Sequence, residues 1–96
     1  MGIQLRFRTG SRIGEAISLT SESRLEFGRD IGCDVQVMDN SISRWHFRIL
    51  ASDLGFVVED TGSTNGTFVN NKRISTQTLG LGDVIRAGDV ELLFEN

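Results

Sequence analysis

Apolar and polar residues alternate in short bursts along this chain. Ile3-Gln4-Leu5-Arg6-Phe7-Arg8 alternates strictly, the period-two pattern of a strand with one face buried and one face wet. Residues 46–51 alternate again, with Phe47 and Ile49 on one face, and Phe56-Val57-Val58 is a third strand signal. Segments 15–19, 24–27 and 34–37 are shorter candidates. Phe68-Val69 and Arg73-Ile74 flank Asn70-Asn71, a pair that tolerates positive φ and suits a two-residue hairpin turn. Val84 to Ala87 and Val90 to Phe94 flank Gly88-Asp89, a second hairpin signal. Helical spacing is nearly absent. Strands this short and this regularly spaced predict a sandwich or a barrel. The chain has no Pro, so its turns rest on 11 Gly and on Asn and Asp.

The length, 96 residues, is that of one domain, expected over residues 1–96 without linker, repeat or low-complexity segment. A chain of this size buries about two-thirds of its unfolded surface. It has little room for an internal active-site cavity, so function is expected on surface loops. The net charge of −3 argues against a general nucleic-acid binder, which needs a basic face to displace counterions. Nine of the ten basic residues are Arg, whose planar fork suits phosphate or carboxylate oxygens. Cys33 is alone, so no disulfide forms within the chain, and an intracellular, cytoplasmic setting is expected (nuclear, if the source is a eukaryote). It reads as a small buried hydrophobe rather than a nucleophile. No stretch resembles a signal peptide or membrane span, and no membrane partner is expected. Arg6 stands where a myristoylation signal at Met1-Gly2 would need Ser or Thr. Asn65-Gly66-Thr67 fits a glycosylation sequon, which means little without a secretion signal.

Three segments concentrate anion-binding groups where only turns are expected. Gly28-Arg29 follows the strand ending at Phe27, and Arg29 there can point over the end of the sheet. Ser41-Ile42-Ser43-Arg44-Trp45-His46 brings a hydroxyl, a backbone N–H and a guanidinium together, the parts of a phosphate cradle. Asp60-Thr61-Gly62-Ser63-Thr64-Asn65-Gly66-Thr67 resembles a phosphate-binding Gly-rich loop but lacks the Lys and the following helix of a nucleotide P-loop. Its Asn65 can both donate and accept, as holding an extended peptide main chain requires. His46 has no second His, Cys or carboxylate at ligand spacing, so no metal or other cofactor is expected.

Taken together, Gly28-Arg29, Ser43-Arg44-Trp45-His46 and Ser63-Thr64-Asn65-Gly66-Thr67 resemble, in order and spacing, the forkhead-associated (FHA) domain. The likeness continues through residues 68–74 and Leu81-Gly82-Asp83-Val84-Ile85, covering about residues 3–94. The resemblance implies an all-β fold, a twisted two-sheet β-sandwich of about eleven short, mostly antiparallel strands. It implies a module that binds phosphothreonine-containing proteins in Ser/Thr-kinase signalling and is not an enzyme. By that pattern Arg29, Ser43, Arg44 and Thr64 resemble phosphate contacts, and Asn65 the grip on the peptide main chain. Gly28, His46 and Gly66 resemble structural supports, His46 joining the two binding loops. Asp60, Gly82 and Asp83 resemble turn-shaping positions. Asn71 stands where the family commonly has Gly, with the same backbone reach. Trp45 lies at a variable position, open to partner contact or packing. Ser41 and the Gly88-Asp89 turn are candidate readers of flanking peptide positions. Two alternatives stay open at this point: a phosphate-independent interaction module of the same fold, and a small phosphoester hydrolase using Ser43 and His46.

Overall fold

The computed structural model describes residues 2–96; Met1, the first residue of the expected domain and of the Met1-Gly2 reading, lies outside them. Eleven strands follow one another without a helix among the described residues: β1 (Ile3–Phe7), β2 (Ala16–Leu19), β3 (Arg24–Gly28), β4 (Val35–Gln36), β5 (Phe47–Ser52), β6 (Gly55–Asp60), β7 (Thr67–Val69), β8 (Lys72–Ile74), β9 (Thr76–Thr78), β10 (Val84–Ala87) and β11 (Val90–Glu95). They form a six-stranded sheet in the order β2-β1-β11-β10-β7-β8 and a five-stranded sheet in the order β4-β3-β5-β6-β9. Every pairing is antiparallel except β3 with β4. The expected two-sheet sandwich is the fold observed. Among the described residues, no helix is long and apolar enough to cross a membrane.

Alternation made the core. Leu5 and Phe7 on β1, and Val90, Leu92 and Phe94 on β11, are all buried, while the residues between them face out. From the other sheet come Phe27, Phe47, Ile49 and Val58. The rings of Phe27 and Phe47, opposite each other across β3 and β5, stack with centroids 4.5 Å apart. Each such side chain contributes about 1.5–3 kcal/mol through burial.

Two turns follow the local chemistry. Asn70 and Asn71 take φ of 51° and 70°, the paired positive values of a type I′ turn. Gly88, at φ 57°, opens the β10–β11 hairpin. One strand carried no sequence signal. β9 is Thr-Gln-Thr, with no apolar residue, and exists because β6 offers it a free edge, Val57 opposite Thr78.

Candidate functional site

Three loops meet at one end of the sandwich: residues 29–34 after β3, 37–46 before β5 and 61–66 between β6 and β7. The first two join as a short ladder. His46 N–H donates to Phe27 carbonyl at 2.9 Å, and Arg29 and Asp30 N–H donate to the carbonyls of Ser43 and Arg44 at 3.0 Å each. Gly28 makes this approach possible. A Cβ there would stand 2.1 Å from the Arg44 carbonyl oxygen and 2.9 Å from Cys33 Sγ. Cys33 itself is buried and donates its S–H to the Arg44 carbonyl. Burial pushes its thiol pKa up, so it stays protonated, an inert filler.

His46 ties the second loop to the third from a fully buried position. Its Nδ1 accepts the backbone N–H of Ser43 at 3.0 Å, and its Nε2 lies 2.9 Å from the Gly66 carbonyl. Acceptor at one nitrogen and donor at the other define the neutral Nε2–H tautomer. This corrects one sequence expectation: the Ser43 amide is capped by His46 and does not face the cradle. Nor does His46 address the Ser43 hydroxyl, as a general base would.

Asp60 builds the third loop. Its carboxylate accepts from the Ser63 and Thr67 hydroxyls and from the Gly62 and Ser63 N–H groups. Partial burial alone would raise its pKa, but these hydrogen bonds outweigh it and hold the carboxyl below its ordinary value. Gly66, at φ 86°, lies under Arg73, whose Nε would be 2.9 Å from an added Cβ. The loop closes onto its neighbour through Thr64 N–H to Ser43 Oγ, 2.9 Å, and Asn65 Nδ2 to Ser41 carbonyl, 2.9 Å.

Arg29, Ser41, Ser43, Arg44, Thr64 and Asn65, among others, thus border one open depression of about 510 Å³. Arg29 donates from Nε to the Ile42 carbonyl at 3.0 Å, which steadies its guanidinium and leaves both Nη groups. Among the described residues neither Arg29 nor Arg44 is in an ion pair. Ser43 Oγ accepts from Thr64, so its own proton is unspent. The Thr64 N–H is committed to the loop, leaving its hydroxyl.

Some residues have contacts that the sequence did not specify. Ser41 is the junction of the loop tips: its hydroxyl donates to Asp39 and accepts the Asp89 N–H, its carbonyl takes Asn65. The Gly88-Asp89 turn therefore touches the site through Ser41. Asp60 with Ser63 had a readable signal, an Asp-x-x-Ser spacing able to close a local turn. Met38 and Asn40, lining an adjoining depression with Arg29 and Asp39, had none. Trp45 is 43% exposed, its ring lying 3.4 Å from where a Gly32 Cβ would be.

Comparison with known proteins settles the family. The model of the FHA domain matches residues 25–88, through all three loops. The chain belongs to the FHA domain family. It is 34% identical over 98 residues to an FHA domain-containing protein of Arabidopsis thaliana, covering 98% of this chain and 25% of that one. The chain thus spans a quarter of that relative's length. Among solved structures, one from work on phosphothreonine-dependent FHA domain interactions superposes with a TM-score of 0.88 at 31% identity, covering 100% of this chain and 97% of that one. The FHA domain of a Chlamydia trachomatis protein, CT664, gives 0.90 at 29% identity, covering 100% and 98%.

Proposed function

We propose that residues 1–96 form one FHA domain that binds phosphothreonine in partner proteins of a Ser/Thr-kinase pathway. It is a binding module rather than an enzyme, and acts inside the cell. The observation that carries this reading is the convergence of two ion-pair-free guanidiniums, Arg29 and Arg44, with the unspent Ser43 proton around one open depression. A phosphothreonine brings roughly −1.5 to −2 charges and three acceptor oxygens. Arg29 and Arg44 supply the charge-assisted donors, Ser43 and Thr64 the hydroxyls. Asn65 has committed one N–H to Ser41 and keeps a second N–H and its carbonyl for the peptide main chain. Gly28, His46 and Gly66 hold the loops and touch no ligand. The solved relative tied to phosphothreonine-dependent interactions supports the same chemistry. Against a hydrolase stands His46, whose ring nitrogens are both engaged away from the Ser43 hydroxyl.

Titration calorimetry with one peptide library, presented as phosphothreonine, phosphoserine and unmodified threonine, tests the proposal. Binding near micromolar strength, about −8 kcal/mol, is expected for the phosphothreonine pool and none for unmodified threonine. A folded protein that binds no phosphorylated pool would be a phosphate-independent module instead. Release of inorganic phosphate would make it a hydrolase.

A further inference from the structure

The outer face of the six-stranded sheet carries a basic row that the phosphate site leaves unused. Phe68 pairs across strands with Arg73 on one side and Arg86 on the other. Arg86 pairs with Glu91, and Arg8, just past β1, donates its N–H to the Glu91 carbonyl at 2.8 Å. The flanking Thr67, Val69, Ile85, Ala87, Val90 and Leu92 are buried, so these five side chains face outward. Their order across the sheet is Arg73, Phe68, Arg86, Glu91, Arg8.

The guanidinium of Arg86 lies 4.1 Å from the Phe68 ring centroid, which seats the central cation on an apolar platform. Among the described residues none of the three guanidiniums is in an ion pair, although Glu91 stands between two of them. Three Arg against one Glu leave the row at +2, on a chain whose net charge is −3. The opposite sheet neutralises its own outward charge: Arg48 lies 3.0 Å from Glu26 and 3.6 Å from Glu59. An open depression of about 300 Å³ borders Arg8, Arg86 and Glu91. At the other end Arg73 lies over Gly66, the residue after Asn65, so the row starts at the binding loops.

We infer that this row is a second docking surface, for an extended Asp/Glu-rich segment of the same partner that carries the phosphothreonine. The inference rests on the reading above for the identity of that partner. Geometry sets the pattern. Neighbouring strands lie about 4.8 Å apart, so cations on alternate strands stand ~10 Å apart, the advance of about three extended residues. In a polyproline-II segment, with three residues per turn and a rise of about 3.1 Å, an acid at every third position faces the row from one side.

The test compares three peptides by fluorescence anisotropy: a short phosphothreonine peptide, the same peptide joined by a Gly-Ser linker to Glu at every third position, and the Glu segment alone. At low salt the extension should tighten binding about three- to tenfold, as a few exposed ion pairs do, and the gain should fade at high salt. Arg8→Glu with Arg86→Glu, both away from the loop that Arg73 covers, should abolish the gain and leave the short peptide's affinity unchanged. The neutral pair Arg8→Gln with Arg86→Gln, gentler on folding, should abolish most of it. No gain in the wild type, or a gain that survives charge reversal, overturns the inference. So does equal weakening of the short peptide, which would mark a general field effect. If no phosphothreonine peptide binds, the phosphothreonine reading fails by itself. The Glu segment alone then decides: weak, salt-sensitive binding lost on charge reversal supports the row, and its absence sinks it. Binding of single-stranded DNA or phosphatidylserine vesicles in place of the Glu segment also overturns it.

Discussion

Replacing Gly28 by Ala should damage both stability and phosphopeptide binding, and by a calculable route. The new methyl would lie 2.1 Å from the Arg44 carbonyl oxygen and 2.8 Å from its carbon. Ordinary heavy-atom contact begins near ~3.5 Å, so the two segments must part by about 1 Å or more. Three hydrogen bonds cross that seam, at 2.9, 3.0 and 3.0 Å, and an added ångström takes them past useful length. Overpacking of this kind costs about 1–3 kcal/mol, which lowers the melting midpoint of a domain this size by ~4–20 °C. The same parting moves Arg29 away from Ser43, so affinity for a phosphothreonine peptide should fall roughly tenfold or more, about one charge-assisted hydrogen bond. Differential scanning fluorimetry and calorimetry read the two effects. The control is Gly2→Ala, with nothing within 4 Å of the added methyl. A Gly28→Ala protein that keeps both midpoint and affinity would refute the close packing of the two loops as the basis of the site.

Arg29→Ala should weaken phosphothreonine binding roughly tenfold to a hundredfold, from the loss of a charged donor worth about 1.5–3 kcal/mol; a loss under about twofold in a folded protein would remove Arg29 from the phosphate contacts. Asp60 has a folded pKa below its unfolded value, about 3.9, so its stabilisation is full above pH ~4 and is lost as pH falls through the folded value. Asp60→Asn should therefore cost about 1–3 kcal/mol at neutral pH, with buried Thr67 losing a carboxylate partner, and the gap to wild type should shrink in acid; a gap that widens there would contradict the assignment. Trp45, Met38 and Ile31 are all exposed in loops bordering the site, so Trp45→Ala should selectively weaken phosphothreonine peptides with a large apolar residue near the modified position. Equal affinity across polar and apolar flanks, in both proteins, would rule that out.

The sequence alone was enough for the fold class, most of the strands and the three loops. Period-two alternation in β1, β5 and β11 sorts side chains to two faces without reference to any other strand, and Asn70-Asn71 encodes its own turn. Such information is local, and so it survives in a linear reading. What depended on distant partners did not. β9 has no apolar pattern and forms only where β6 leaves an edge. The Ser43 N–H looked free until the fold put His46 Nδ1 on it, and Ser41, read from sequence only as a candidate contact for flanking peptide positions, proved to be the junction on which Asn65 and Asp89 converge. The row Arg73-Arg86-Arg8 joins residues scattered over nearly the whole chain, and it exists only through the register of five strands. A hydrogen bond or a charge cluster between remote segments is decided by three-dimensional closure, because only the packed sandwich determines which groups lie within a few ångströms of one another.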